Sequence, residues 1–144
     1  GDYWPVRSWA RSACRFRIET RGDSLDIICA SVDGPELEKR LAFSREGNLQ
    51  ITYRWDQAVG QPDDAFAPEL SLFAPLELRP EPDGEIWTYT IETVAKSERG
   101  LDRTKQGESV TVRWPVRLGG ASLMVEPASR RLLAALNQSS DLSA

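Results

Sequence analysis

The chain has 144 residues, of which 40% are hydrophobic and 28% are charged, values typical of one globular domain. Its net charge of −4 argues against nucleic acid as the main partner, and the sequence contains no apolar run of about 20 residues that predicts a membrane span. Histidine is absent, which excludes Ser-His-Asp and Cys-His nucleophilic machinery and most zinc and iron sites. We therefore predict no metal site and no cofactor.

The first part of the chain predicts an N-terminal arm followed by a β-hairpin. Residues 1–12 contain two tryptophans and a proline without clear periodicity, which favours a linker or an arm that packs on the domain. The alternating segments CRFRIET and DSLDIICAS flank Arg21-Gly22, a two-residue turn signal. The resulting register pairs Ile18 with Leu25, Phe16 with Ile27 and Cys14 with Cys29 on one apolar face.

The two cysteines of this hairpin are predicted to be buried thiols in a reducing cytoplasm, which is the location we expect for the protein. A cross-strand disulfide is the alternative. The sequence has no C-x-x-C motif, so a redox-active role is not expected.

A series of arginines near the N-terminus has two interpretations. It could bind nucleic acid, or it could decorate the outer face of a strand, and the second interpretation is favoured. The series consists of Arg7, Arg11, Arg15, Arg17 and Arg21.

The middle of the chain predicts further short strands. A second hairpin comprises residues 37–43 and 49–55 around the turn Arg45-Glu46-Gly47-Asn48, with one polar and one apolar face. Short strands are predicted at 69–73, 76–79 and 121–126. Residues 127–138 place Leu132, Leu133 and Leu136 on one helical stripe, which predicts a short C-terminal helix.

The segment from residue 85 to residue 118 predicts two long strands around a charged connection. Period-two alternation marks strands with one buried face. On the first strand the apolar side carries Trp87, Tyr89 and Ile91, and on the second it carries Val110, Val112, Trp114 and Val116. Seven to nine strands with frequent turns predict an all-β, antiparallel β-sandwich or barrel, and the polar faces favour two packed sheets.

Three separated blocks resemble a known family. The connection reads ETV-x-x-SERG-(x)5-QG-x-S and resembles the C-terminal β-sandwich module of glycoside hydrolase family 57 enzymes, the α-amylases and 4-α-glucanotransferases. The blocks EKRLAFSREGNLQITYRWD and FAPELSLF are similar to this module and to its galactose-mutarotase-like relatives. The resemblance implies a mutarotase-like sandwich with Greek-key-like connections, which follows a catalytic (β/α) barrel and a helical region.

The sequence pattern predicts a division of the chain into three segments, of which the part after Val116 resembles the family less well. We expect an arm over residues 1–12, a sandwich domain over 13–126, and a C-terminal helix with a frayed tail over 127–144. Residue 1 is glycine and the single methionine is Met124, which favours an excised piece of a longer protein, with processing of the N-terminus as the alternative. The family's catalytic glutamate and aspartate belong to the barrel, and no residue of this chain inherits their role.

Eight residues are candidates for contacting carbohydrate or a neighbouring domain. Arg54 and Glu69 could meet across adjacent strands, either as a structural ion pair or as a grip on sugar hydroxyls. Most aromatic rings on alternating strand positions are expected in the core, which makes Trp4 and Trp9 the better candidates for exposure. For these two tryptophans, packing at the junction with a neighbouring domain is the favoured interpretation. The eight candidates are Arg54, Glu69, Trp87, Lys96, Ser97, Glu98, Arg99 and Gln106.

The resemblance implies a non-catalytic domain that supports the catalytic barrel of its own parent chain and contacts α-1,4-glucan. Two alternatives stay open: an independent carbohydrate-binding module, and a structural interaction domain without sugar affinity. A mutarotase-like enzyme is a further rival, and it would require Glu69 in a concave cleft. Neither a nucleic acid nor a membrane is an expected partner.

Overall fold

The structure is a computed structural model that describes residues 12–74, 76–98 and 100–127, apart from the Ser97 side chain. Most of the predicted N-terminal arm, with Trp4 and Trp9, lies outside these residues. The predicted C-terminal helix and tail also lie outside them, beginning at residue 128.

The described part of the chain forms ten β-strands and one short 3₁₀ turn. The strands are β1 Cys14–Arg21, β2 Ser24–Ser31, β3 Leu37–Ser44, β4 Leu49–Trp55, β5 Ala65–Phe66, β6 Glu69–Leu72, β7 Leu76–Glu81, β8 Glu85–Ser97, β9 Gly100–Pro115 and β10 Gly120–Pro127. The 3₁₀ turn, Val116–Leu118, connects β9 to β10. No helix within the described residues is long and apolar enough to cross a membrane.

The strands form two antiparallel sheets that pack face to face. The first sheet has six strands in the order β1-β2-β3-β4-β10-β7. In the second sheet the long strand β9 pairs with β8 along one edge and with β5 and β6 along the other. The prediction of an all-β antiparallel sandwich is therefore confirmed.

The core lies between β4, β10 and β7 of the first sheet and β9, β5 and β6 of the second. Val112 and Trp114 of β9 and Leu123 of β10 are fully buried at its centre, each with 0% exposure. The buried cluster consists of Ile51, Tyr53, Trp55, Phe66, Val112, Trp114, Val116, Ala121, Leu123 and Val125. Alternation of buried and exposed positions along β4 and β10 matches the predicted one-sided strands.

Both core tryptophans satisfy their polar N–H groups. Trp55 Nε1 donates to the Val116 carbonyl at 2.6 Å, and Trp114 Nε1 donates to the Pro82 carbonyl at 2.7 Å. The Trp55 ring also stacks on Phe66, with centroids 4.1 Å apart and planes 11° apart. Because a buried donor without a partner is costly, these bonds allow large aromatic rings to fill the space between the sheets.

The predicted turn of the first hairpin is wrong by one residue. The turn residues are Gly22 and Asp23, and Arg21 pairs with Ser24 instead of occupying the turn. Gly22 has a φ of 56°, which glycine adopts without the steric cost that an arginine would carry. The shift moves the whole register by two residues, so the same side chains still share a face.

This register also separates the two cysteines. Cys14 pairs with Ser31 and Cys29 pairs with Phe16, so the predicted Cys14–Cys29 pairing is wrong. Both cysteines are free; Cys14 is exposed and Cys29 is half-buried. The predicted burial of both thiols is therefore wrong for Cys14, which lies on an edge strand.

The described arginines of the N-terminal series lie on the outer face of β1, as predicted. Glu19 on the same face accepts hydrogen bonds from Arg17 at 2.9 Å and from Arg21 at 3.3 Å. The hydrogen bond from Arg17 lowers the pKa of the Glu19 carboxyl. Arg7 and Arg11 lie outside the described residues.

A buried carboxylate lies next to this charged cluster. Asp26 on β2 is only 4% exposed, and its Oδ2 accepts from Arg40 Nη2 at 2.5 Å and Nε at 3.0 Å. The second oxygen, Oδ1, is buried without a hydrogen-bond partner within the described residues. Among the described residues, Arg40 is therefore the cation that compensates the negative charge of the buried Asp26 carboxylate.

The predicted charged connection between the two long strands is not a loop. Strands β8 and β9 continue through it, pair residue by residue, and leave a two-residue connection between Ser97 and Gly100. A register shift at Gln106 marks a β-bulge, since Ile91 pairs with Gly107 and Glu92 with Lys105. Between residues 92 and 106, β8 and β9 pair only with each other among the described strands. We refer to this two-stranded part as the β8–β9 ribbon.

Removal of Arg40 tests the role of this cation. We expect Arg40→Ala to lower the free energy of unfolding by about 2–3 kcal/mol, somewhat below the usual cost of breaking a buried pair because Arg40 is one-third exposed. Arg15→Ala, on the exposed outer face of β1, is the matched control and should change stability by less than about 0.5 kcal/mol. Urea unfolding of both variants measures the difference, and equal losses would contradict the assignment.

Alkaline pH tests the burial of Tyr53. Burial raises the pKa of Tyr53 to about 12, above the value near 10 of an exposed tyrosine. The contribution of Tyr53 to the free energy of unfolding should therefore be fully present below pH 10 and decrease as the pH rises toward 12. In that window the Tyr53 hydroxyl ionises in the unfolded chain but not in the folded protein. The loss attributable to Tyr53 approaches about 3 kcal/mol and should disappear in Tyr53→Phe, as measured by urea unfolding at pH 9 to 12.

Candidate functional site

The outer face of the second sheet brings aromatic and polar side chains together. Val110, Val112 and Trp114 of β9 point into the core, so the alternate residues of this strand point outward. Thr111 pairs with Trp87 of β8 on one side and with Glu69 of β6 on the other. Three strands thus place Glu69, Thr111 and Trp87 in one row.

The face carries further groups in the neighbouring rows. Ser109 pairs with Tyr89 of β8 and with Ser71 of β6, and Arg113 pairs with Glu85. We refer to the whole set as the outer-face site. It consists of Glu69, Glu85, Trp87, Tyr89, Ser109, Thr111 and Arg113.

The predicted core location of Trp87 and Tyr89 is wrong. Ile86 of β8 pairs with the fully buried Val112, so the residues that alternate with Ile86 point away from the core. Tyr89 is 51% exposed, and Trp87 is half-buried. The other three aromatic residues in this prediction, Tyr53, Trp55 and Trp114, are in the core as expected.

Arg113 is the centre of one half of the site. Its guanidinium carbon lies 4.1 Å from the centroid of the Trp87 ring, a cation–π contact. Arg113 Nη1 donates to Glu85 Oε2 at 2.7 Å, while Nε is buried without a hydrogen-bond partner within the described residues. The guanidinium is therefore held in place by the ring and the carboxylate and retains an unused donor.

Glu69 is the centre of the other half. The Ser109 hydroxyl donates a hydrogen bond to Glu69 Oε1, which orients the carboxylate across β9. Ser109 is buried although it lies on the outer face, whereas Glu69 is exposed. The carboxylate thus has an accessible, oriented acceptor beside the row that contains Trp87.

This arrangement suits a ligand with both apolar faces and hydroxyl groups. Tyr89 and Trp87 supply ring surface, and the carboxylates of Glu69 and Glu85 accept hydrogen bonds from hydroxyls. Arg113 supplies planar donors. A pyranose ring has this combination of an apolar face and a polar rim. Within the described residues, no group of three or more His, Cys, Asp or Glu side chains could hold a metal ion.

The other predicted site residues lie elsewhere. Arg54 is exposed on the outer face of the first sheet, where it pairs with Glu38 and Gly120. The predicted meeting of Arg54 with Glu69 is therefore wrong, because the two residues lie on opposite outer faces of the sandwich.

The candidates from the charged connection lie along the β8–β9 ribbon. Lys96 and Glu98 are exposed near its tip, and Gln106 is the extra residue of the bulge. Nothing is described for the Ser97 side chain or for Arg99. Of the predicted residues whose side chains the structure describes, only Glu69 and Trp87 lie together in the outer-face site.

Sequence reasoning missed Arg113, Glu85 and Ser109 as site residues. Their signal was present in the alternation of β9, where the polar positions 109, 111 and 113 share one side. The partners of these positions on β8 could not be assigned while residues 92–106 were interpreted as a loop. A short connection at residues 98–99 would have supplied the register.

The fold and the site define an antiparallel β-sandwich module with a polar and aromatic outer face. Residues 72–124 match the family model described as "Alpha-amylase/4-alpha-glucanotransferase, C-terminal". This match confirms the resemblance to the C-terminal module of these enzymes that the sequence predicted. The matched range contains every member of the outer-face site except Glu69.

Two individual proteins are also similar to the chain. An α-amylase of Pyrococcus horikoshii is 26% identical over 97 residues, which cover 62% of this chain and 15% of the relative. The crystal structure of 4-α-glucanotransferase from Thermococcus litoralis has a TM-score of 0.48 and 15% identity, and the similarity covers 77% of this chain and 22% of that one. The chain thus spans less than a quarter of the length of either protein.

Gly107 tests how strand β6 is held against β9. A Cβ atom at Gly107 would lie 2.3 Å from the Leu72 carbonyl oxygen, so a side chain there would push β6 away. We expect Gly107→Ala to destabilise the protein by about 1–3 kcal/mol and to break the Ser109–Glu69 hydrogen bond. Gly120→Ala is the milder comparison, because the nearest atom, the Tyr53 carbonyl oxygen, lies 3.3 Å away and a shift of a few tenths of an ångström would relieve that tight contact. Equal losses of stability in Gly107→Ala and Gly120→Ala, measured by chemical unfolding, would contradict the close packing of β6 against Gly107.

Proposed function

We propose that this chain is the non-catalytic C-terminal β-sandwich domain of a longer α-glucan-processing enzyme, either a hydrolase or a glucanotransferase. The family match over residues 72–124 supports the domain type. The catalytic groups belong to a barrel domain of the same parent chain, which is the proposed main partner. A cytoplasmic location is part of this proposal and agrees with the two free thiols.

We further propose that the outer-face site binds α-1,4-glucan. One observation carries this proposal: Trp87, Thr111 and Glu69 form a single row across three strands, with Tyr89 and Arg113 beside it. Stacking on an aromatic ring buries the apolar face of a sugar, while carboxylates and a guanidinium bond its hydroxyls. The face is open and formed by three paired strands, so several sugar units can lie along it.

Two alternative functions predict a different role for the outer-face site. An independent carbohydrate-binding module would bind glucan without any contribution from the catalytic barrel. A purely structural domain would use the same ring and carboxylates to contact the barrel and would show no sugar affinity. The mutarotase-like enzyme is disfavoured because Glu69 is an exposed residue on a sheet face.

Titration with maltoheptaose tests the glucan proposal. We expect saturable changes in tryptophan fluorescence and in the amide chemical shifts of β8 and β9. Trp87→Ala and Tyr89→Ala should each weaken binding at least about tenfold, a loss of about 1.4 kcal/mol. Glu69→Gln should weaken binding less, since it keeps an acceptor of similar shape.

Two controls make the result specific. Arg54→Ala changes an exposed residue on the opposite outer face and should leave the affinity unchanged. Cellohexaose, which has β-1,4 linkages, should bind more weakly than maltoheptaose if the face fits the curvature of an α-glucan. A flat response from a folded domain, or full affinity in a Trp87→Ala/Tyr89→Ala double variant, would refute sugar binding at this face.

A further inference from the structure

Among the described strands, the two sheets of the sandwich have four edges. The first sheet ends in β1 on one side and in β7 on the other. In the second sheet β8 forms one edge, while β5 and β6 together form the other. An edge strand presents unpaired backbone N–H and C=O groups, so it can pair with a strand of another molecule.

Three of these edges carry features that oppose such pairing. Strand β7 contains Pro80, which has no backbone N–H to donate, and Pro68 divides the edge opposite β8 into a two-residue strand and a four-residue strand. Charged side chains, proline and short strands are the usual protections of a sheet edge. On β1 the protection is charge, supplied by Arg15, Arg17, Glu19 and Arg21.

The free side of β8 lacks these protections over residues 86–91, which we call the β8 edge. The segment reads IWTYTI, without charge, proline or glycine, and all its residue types favour strands. Strand β8 pairs with β9 and with no other described strand. Its apolar side chains are correspondingly open to solvent: Ile86 is 44% exposed although its strand partner Val112 is fully buried. The β8 edge therefore favours association.

The β8 edge is also complementary to itself. When two identical antiparallel strands are related by a two-fold axis, positions at equal distances on either side of the axis face each other. With the axis at Thr88, Trp87 lies opposite Tyr89 of the second copy, and Ile86 lies opposite Thr90. Each pair occurs twice, and no like charges face each other in the paired segment. Aromatic and β-branched pairs of this kind stabilise antiparallel sheets.

We propose that two copies of this chain associate through the β8 edge and form one continuous antiparallel sheet, with the two-fold axis at Thr88. The occupant of the edge is thus a second copy of the chain. An extended segment of a neighbouring domain is the competing occupant, and the second copy is favoured because the segment matches its own sequence in this register.

The association joins the two outer-face sites. A two-fold axis perpendicular to the sheet keeps the outer faces of both copies on the same side. The row of Glu69, Thr111 and Trp87 then continues into Tyr89 of the second copy, so each copy extends the aromatic surface of the other. The association itself uses backbone pairing and does not depend on sugar binding.

Sedimentation velocity over a concentration series of the 144-residue chain, without sugar, tests the proposal. We expect a reversible equilibrium between monomer and dimer. Thr88→Lys places two ammonium groups opposite each other at the axis and should raise the dissociation constant at least about fivefold. Thr104→Lys makes the same substitution at an exposed position of β9 and should leave the dissociation constant unchanged.

Cysteine cross-linking tests the position of the axis, in a chain with both native cysteines replaced by serine. Thr88→Cys should form a disulfide-linked dimer under mild oxidation, because directly opposite residues have Cβ atoms about 5 Å apart. Thr93→Cys should not, because five positions from the axis the two thiols are about 34 Å apart.

Two kinds of result would overturn the proposal. One is a chain that stays monomeric over the whole series, or a dimer that Thr88→Lys leaves as stable as before. The other is cross-linking of Thr93→Cys as readily as Thr88→Cys. Because no sugar is present, a failure of maltoheptaose to bind the outer-face site would leave these measurements unaffected.

Discussion

The packing of Val112 and Trp114 against β4 and β10 is the interaction on which the rest of the structure depends. Both side chains are fully buried, and both belong to β9, the strand that pairs with every other member of the second sheet. Because side chains alternate along a strand, burying these two residues forces Thr111 and Arg113 to face outward. The core contact therefore sets the orientation of the candidate site.

The fold class could be predicted from the sequence, whereas strand pairing could not. Alternation identified β4, the core half of β9, and β10, because each has one strongly apolar side. In β8, aromatic residues occupy one side and threonine and isoleucine the other, so hydrophobicity indicated the wrong face. The pairing of Ile86 with the buried Val112 determines which face of β8 points toward the core. That pairing depends on the register between two strands, which the sequence of either strand alone does not specify.

The same limitation explains which site residues were found. Glu69 lies in a block that resembles the family module, and Trp87 is a conspicuous aromatic residue on a predicted strand, so each could be selected individually. Their proximity arises from pairing both with Thr111, a residue with no signal of its own. Arg54 was equally conspicuous in sequence but lies on the other sheet. Composition and motif thus identify chemical groups, while the register decides which of them meet.

The unequal size of the two sheets divides the sandwich into surfaces with different chemistry. Six strands face a second sheet whose core contacts end at β4 and at Leu37 of β3, which leaves an apolar surface on the rest of β1 to β3. The second sheet exposes a polar and aromatic face on its other side. An apolar surface gains free energy by being covered permanently, whereas the outer-face site keeps exposed carboxylates and an exposed ring that suit reversible contact with a hydroxyl-rich ligand. The first surface therefore fits a packing role, and the second fits recognition.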